Sequence, residues 1–330
     1  MRVGVIGAGA IGGTIAALLA DAGHEVWVTA RGAHAAAIRR TGLVVEGAWG
    51  THRPRVRIAR ELPAGCEVVF VCTKANDARR ALEGSRRALA GACVVIVQNG
   101  LHGTAEAARL LPGTGVVGAL ALFAATIAEP GRIVVTAPGD LWVGVVAGDP
   151  SAAQKVAALL GQALPSHAID DLAACQWTKL MINQVNAMPA ITGLSVQETI
   201  ARPRLRRIIA RSMREATRLA FATGVRFGRL QGLGPGILRL VSRGPRAAAG
   251  ALLLAMARRM GDVPNLGSTL QSIRRGRPSE VDALNGAVVA WAKEHGRAAP
   301  VNEALAAMVH EVEASGRFLT ADEVARRFTR

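Results

Sequence analysis

Residues 1–31 read MRVGVIGAGAIGGTIAALLADAGHEVWVTAR, and this stretch decides the fold. An apolar run from Val3 to Ile6 breaks into Gly7-Ala8-Gly9-Ala10-Ile11-Gly12, a helical stretch follows to Gly23, and a second apolar run, Val26 to Ala30, stops at Arg31. Strand, glycine turn, helix and strand is the order in which a βαβ unit builds a dinucleotide site. Gly7 permits the tight turn, Gly9 lets the backbone approach a pyrophosphate, and Gly12 lets helix and strand pack closely. The turn Gly7 to Gly12 is therefore the candidate phosphate cradle, backed by the free N–H groups and positive dipole end of the helix. Met1-Arg2 ahead of small apolar residues also has the outline of a secretory leader. Glycines at 4, 7, 9, 12 and 13 would interrupt the helix such a leader needs, so we read a folded strand.

Arg31 narrows the chemistry. An NAD-binding protein usually places an acidic residue at the end of the second strand, on the ribose 2′-hydroxyl, whereas an arginine there suits a 2′-phosphate. The expected cofactor is NADP(H). The chain holds 36 arginines and only 4 lysines, so an arginine is also the commonplace cation at any of its positions.

The 330 residues, half of them apolar, are enough for two domains around large cores. A net charge of +16 raises nucleic acid or an anionic membrane as partners. The arginines, however, are spread along the chain, no tyrosine is present to stack on bases, and no stretch reaches the ~18 apolar residues that span a bilayer. The expectation is no nucleic acid and no membrane. Cys66, Cys72, Cys93 and Cys175 sit singly in apolar runs, as small hydrophobes of a reducing, cytoplasmic compartment do. The 7 histidines form no metal-binding pair, so no metal site is expected.

Further along, apolar runs alternate with helical stretches, the pattern of a doubly wound, mostly parallel sheet. The run Glu67 to Cys72 ends in Thr73-Lys74-Ala75, and Cys93 to Val97 ends in Gln98-Asn99-Gly100. Ligands of open α/β sheets sit at strand C-termini, which puts Lys74 and Asn99 in reach of whatever binds the glycine turn. A surface lysine and ordinary Asn-Gly turn chemistry are the plainer readings. Val116 to Thr136 reads as a hairpin turning at Glu129-Pro130-Gly131, and Leu141 to Ala147 as one more strand. The strand signal ends near residue 168. We expect an NADP-binding Rossmann domain over 1–168 and an all-helical substrate and catalytic domain over 169–330. The Arg-, Gly- and Pro-rich start of 225–263 and its apolar run Ala247 to Ala257 read as an amphipathic helix pair or a homodimer contact.

A helix beginning near Asp171 reads as nearly all apolar from Trp177 to Ile191. On it Lys179, Asn183 and Asn186 would share an arc of about 60°, a polar stripe that should line a ligand. A snorkelling lysine with asparagines bonded to loop backbone is the bland alternative. In a chain this poor in lysine, Lys74 and Lys179 stand out, because a desolvated ammonium can give up its proton near neutral pH and a guanidinium cannot. Ser268 and Glu280 bracket a short helix and a Gly-Arg-Pro turn, and a carboxylate at a helix start is by itself explained by the helix dipole.

Taken together, these residues resemble the ketopantoate reductases (2-dehydropantoate 2-reductases). The glycine turn with Arg31, Thr73-Lys74-Ala75, Gln98-Asn99-Gly100, Lys179-Leu180-Met181-Ile182-Asn183, and Ser268 followed by Glu280-Val281-Asp282 occur in that family's order. The resemblance implies NADPH bound between a Rossmann domain and a helical domain, and a small 2-oxo acid as substrate in pantothenate biosynthesis. It implies Lys179 as general acid, Glu280 supporting cofactor and substrate placement, and Lys74 and Asn99 at the cofactor and substrate edge. Asn183 and Ser268 would hold the substrate's hydroxyl and carboxylate. Many members carry a second substrate asparagine where Ala187 stands here; Asn186 lies one residue earlier, and Pro189 occupies a position that is asparagine in another branch. The oxo acid is therefore left open, with a reductase of a different 2-oxo acid or ketone, and a non-catalytic NADP(H)-sensing protein, as the other readings.

Overall fold

The computed structural model describes residues 1–261 and 263–328, which divide into two compact units, Met1–Leu172 and Ala173–Arg330. In the first unit the strands are β1 (Arg2–Ile6), β2 (Glu25–Thr29), β3 (Val44–Gly47), β4 (Arg57–Ala59), β5 (Val68–Val71), β6 (Cys93–Val97), β7 (Val116–Ala121), β8 (Ala124–Glu129), β9 (Arg132–Ala137), β10 (Leu141–Ala147) and β11 (Ser166–Ala168). Its helices are α1 (Ala10–Asp21), α2 (Gly32–Thr41), α3 (Ala75–Gly84), α4 (Arg86–Leu89), α5 (Gly103–Leu110) and α6 (Ala152–Gly161).

The main sheet has the order β11-β10-β7-β6-β5-β1-β2-β4. From β7 to β4 the strands run parallel, while β10 pairs antiparallel with β7 and carries β11 parallel beside it. Strands covered on both faces must be apolar on both, and β5 is: Val68 and Phe70 enter one core while Val69 and Val71 enter the other. From β1 the chain first moves outward through β2 to β4, then returns to the opposite flank of β1 as β5. The order therefore reverses between β1 and β5, and a crevice opens at their C-terminal ends.

The expected hairpin from Val116 to Thr136 is corrected. β7 is fully buried over its first five residues and belongs to the main sheet. The hairpin comprises β8 and β9 alone, and with β3 it makes a separate three-stranded sheet. That sheet packs on α1, where Ile133 occupies the space that a side chain at Gly13 would need.

The second unit is helical: α7 (Leu172–Asn183, opening at the boundary), α8 (Ala187–Thr192), α9 (Val196–Ala201), α10 (Pro203–Ala222), α11 (Pro235–Arg243), α12 (Arg246–Arg259), α13 (Gly267–Arg274), α14 (Asn285–Glu294), α15 (Pro300–Ser315) and α16 (Ala321–Arg326). Local chemistry sets their ends. Ser195 with Glu198 and Thr320 with Glu323 form reciprocal capping boxes, and Gly193 and Gly316 close α8 and α15 in the left-handed conformation. The helices share one core, to which Met188, Ile191, Leu205, Met213, Leu305 and Val309 contribute fully buried side chains. Among the described residues, no helix is long and apolar enough to cross a membrane.

The single helix expected from near Asp171 through Ile191 is two helices. Pro189 has no N–H to offer the carbonyl of Val185, and its ring would strike that carbonyl in a continuous helix. The chain therefore leaves the helix after Asn183 and restarts at Ala187, which puts Pro189 in a first turn where no N–H is needed.

Candidate active site

In the N-terminal unit the glycine turn lies at the reversal of strand order. Gly7 has φ +93°, a conformation that favours glycine, and a β-carbon there would press on Thr73. A β-carbon on Gly12 would collide with the Gly7 carbonyl and come within 2.8 Å of Cβ of Cys72, so the third glycine is required for α1 to lie against the strands. Over Gly9 no atom lies within 4 Å of the equivalent position, and this face of the turn is open. Ala8 N–H donates to the Thr29 carbonyl (2.7 Å) and Gly7 N–H to Thr29 Oγ1 (3.1 Å), which locks the turn to the end of β2. No side chain caps α1 and no acidic residue stands in its first turn, so Ala10, Ile11 and Gly12 present first-turn donors to an anion. Burial raises the Cys72 thiol, which keeps it uncharged beneath the turn.

Arg31 is the N-cap of α2, and its guanidinium, 65% exposed, pairs with Asp77 of α3 at 3.8 Å. Lys74 is the N-cap of α3 and Asn99 follows β6, both half-buried at strand ends. Sequence reasoning passed over their neighbours Thr73 and Gln98. Gln98 Nε2 donates to the Thr73 carbonyl (2.8 Å) and so clamps the ends of β5 and β6 together. Thr73 Oγ1 and Gln98 Oε1 are buried with no hydrogen-bond partner, two polar atoms left over at the crevice.

In the C-terminal unit Lys179 lies on α7 with only 7% of its surface exposed. Burial disfavours the ammonium and lowers its pKa from 10.5 to about 8, a shift that the nearby Glu280 carboxylate limits. Glu280 is 8% exposed and precedes a 3₁₀ turn of three residues, Val281–Ala283. Such a turn has little dipole to satisfy; its buried carboxylate is accounted for by the neighbouring amine. Asn183, one helical turn after Lys179, ends α7.

Asn186 departs from the expected stripe, because the helix break removes it from the arc of Lys179 and Asn183 and makes it the N-cap of α8. It stays in the cluster by another route. Its Nδ2 donates to Asn183 Oδ1 at 3.4 Å, and its Oδ1 lies against Gly267. Gly267 has φ +68° and leads directly into Ser268, whose Oγ is buried with no partner. Lys179, Asn183, Asn186, Ser268 and Glu280 are thus linked within one unit.

The break itself is held by residues that the sequence did not single out. Fully buried Gln184 accepts at Oε1 from Ser212 Oγ (2.8 Å) and Asn285 Nδ2 (3.1 Å). Asn302 Oδ1 accepts from the same two groups at 3.0 and 2.9 Å. Immediately before the lysine, Thr178 Oγ1 donates to the Gly228 carbonyl at 2.7 Å. No periodicity could reveal these contacts, since their partners lie 17 to 101 residues away.

Residues 3–148 match the family described as Ketopantoate reductase PanE/ApbA, and residues 171–313 match Ketopantoate reductase PanE/ApbA C terminal. The 2-dehydropantoate 2-reductase of Halobacterium salinarum is 28% identical over 96% of this chain and 100% of its own length. Among solved structures, a PanE/ApbA family ketopantoate reductase from Ralstonia eutropha is 28% identical with a TM-score of 0.79, covering 95% of this chain and 99% of that one. D-mandelate dehydrogenase, solved with NADH and anilino(oxo)acetate, shares the fold at 20% identity, with a TM-score of 0.81 over 96% of this chain and 99% of that one. With both units matched in order and by separate descriptions, the chain belongs to the ketopantoate reductase family of oxidoreductases.

Proposed function

We propose that this protein reduces the keto group of a small 2-oxo acid, ketopantoate first among them, with NADPH as reductant and Lys179 as proton donor. The observation that carries the reading is a buried lysine with its pKa brought to about 8, linked to Asn183, Asn186, Ser268 and Glu280. The N-terminal unit fits the nucleotide: the open face over Gly9, the uncapped first turn of α1 and the unpartnered Thr73 hydroxyl, which can donate, suit a phosphate-bearing ligand. Arg31 supports NADPH over NADH, since an ion pair as exposed as Arg31–Asp77 contributes little and leaves the guanidinium able to take a 2′-phosphate.

NADPH, when bound, supplies the hydride. As the keto carbon becomes tetrahedral, negative charge develops on its oxygen, and a Lys179 ammonium in a dry setting stabilises that charge more strongly than it would in water. Lys179 then passes its proton to the oxygen, giving the hydroxy acid, and the neutral amine regains a proton from solvent. Glu280 keeps enough of the amine protonated near neutral pH for this step. In this reading Asn183 and Ser268 hydrogen-bond the substrate's polar groups, which would give the unpaired Ser268 Oγ a partner.

A different 2-oxo acid is the second reading, favoured by the start of α8, where Ala187 and Pro189 stand in place of amide side chains and Asn186 has turned onto Gly267. An NADPH oxidation assay across a panel of 2-oxo acids decides between them. The first reading expects ketopantoate to exceed the others in kcat/KM by roughly tenfold or more. Preference for another acid replaces it with the second, and turnover of none refutes both.

A further inference from the structure

Arg207, Arg211, Arg214 and Arg218 recur along α10 at spacings of four, three and four, which places them in an arc of about 60°. Like charges at such spacings weaken a helix, so the stripe asks for a compensating anion. All four guanidiniums donate to backbone carbonyls and none to a carboxylate among the described residues: Arg207 to Pro203, Arg211 to Phe328, Arg214 to Gly244 and Arg218 to Ser242. Glu215 also lines the groove, but its carboxylate is taken up in capping α15, where it accepts from the N–H groups of Val301 (3.0 Å) and Asn302 (2.9 Å). Burial and the neighbouring Arg218 and Arg246 also lower the pKa of Arg214.

Across from this stripe runs α12, apolar on every side from Ala247 to Ala257, a composition normally found in buried helices. Only Ala249 and Leu253 are buried on it, while Ala247, Ala251 and Leu254 stay exposed on the wall that faces the arginines. The groove between the two helices has a volume of about 1100 Å3. Its lining on α10 runs from Arg206 to Ala222, roughly 24 Å at ~1.5 Å per residue, long enough to lie along about four turns of a helix.

We propose that this groove docks an acidic amphipathic helix from a different protein, with its carboxylates on the arginine stripe and its apolar face on α12. Charge complementarity to the arginine stripe and the exposed apolar wall of α12 together select that occupant. Inorganic polyanions would leave the apolar wall uncovered. A second copy fits poorly, since each chain carries a net +16. Its acidic helices are also engaged: Glu311 of α15 pairs with Arg327, and Asp322 of α16 with Arg204.

The test uses the full chain and a labelled synthetic peptide of about 18 residues, with glutamates three and four apart on one face and leucine and alanine on the other. Its scrambled isomer is the control, and binding is read by fluorescence anisotropy. The helix-forming peptide is expected to bind at least ~10-fold more tightly than the isomer, and more weakly as salt rises. R207E/R211E and, separately, L254D should each weaken binding by about tenfold or more, with melting temperature and NADPH oxidation unchanged. Equal affinity for both peptides, or no binding of either, overturns the proposal. So does a groove whose variants instead abolish binding to phosphatidylserine vesicles or self-association.

Discussion

The side-chain oxygen of Asn186 rests against the α-carbon of Gly267, so close that a β-carbon at 267 would stand 2.8 Å from it. Gly267 also holds φ +68°, where any other residue is strained. Gly267→Ala therefore meets two costs at once. It should destabilise the protein by about 1–2 kcal/mol from the left-handed conformation alone. By displacing Asn186 and Ser268 it should also raise KM for the oxo acid more than it lowers kcat. Urea unfolding and steady-state kinetics check both; unchanged values would mean the contact is slack.

Lys179→Ala should cut turnover by about 10²–10⁴-fold, the usual range for a general acid, while NADPH affinity stays near that of the parent. In the parent, reduction should decline as pH rises through about 8, where the amine loses its proton. Folding responds in the opposite sense. The unfolded chain holds this proton up to its ordinary pKa of 10.5, so the cost of the buried charge is fully present below about 8 and fades towards 10.5. A Lys179→Met protein should melt at a higher temperature than the parent at neutral pH, with the gap closing across that interval.

Glu280→Gln tests the carboxylate separately from its bulk. Since Glu280 holds the Lys179 pKa up, the amide should shift the alkaline limb of the reduction profile to lower pH. A limb that stays in place would reduce Glu280 to a packing role.

Asn285→Leu should strip donors from Gln184 and Asn302 together, leaving two buried acceptors short of a partner. A loss of about 2–3 kcal/mol is expected. Because Gln184 sits in the break between α7 and α8, KM should rise with it.

Arg31→Asp should move the preference from NADPH towards NADH by setting a carboxylate where a 2′-phosphate would lie, and beside Asp77. The ratio of kcat/KM for the two nucleotides measures it, and an unchanged ratio removes Arg31 from cofactor choice.

Much of the fold was legible because burial on both faces writes itself as apolar runs: β1, β5 and β6 stand within a residue or so of the runs that announced them. The misread hairpin carried its own clue. Val116–Ala121 is apolar throughout, as a central strand must be, while Ala124–Glu129 is only half buried; Leu122-Phe123 between them are not turn-forming residues and gave no punctuation. That Lys179 is not an ordinary surface cation was legible through the chain's preference for arginine, and its burial agrees. Asn186 was misplaced because Pro189 announces a break without fixing where it falls. Glu280 looked like a dipole carboxylate because sequence does not show burial, and Gln184 and Gln98 were overlooked because their importance lies in distant partners.

The helix that carries Lys179 is moored twice, by Thr178 to the Gly228 carbonyl and by Gln184 to Ser212 and Asn285. Grafting Leu172–Asn183 alone into another scaffold would carry the amine but not its aim. A designer borrowing this buried amine must bring the loop at 228 and the helices α10 and α14 with it, so the smallest portable version is nearly the whole C-terminal half.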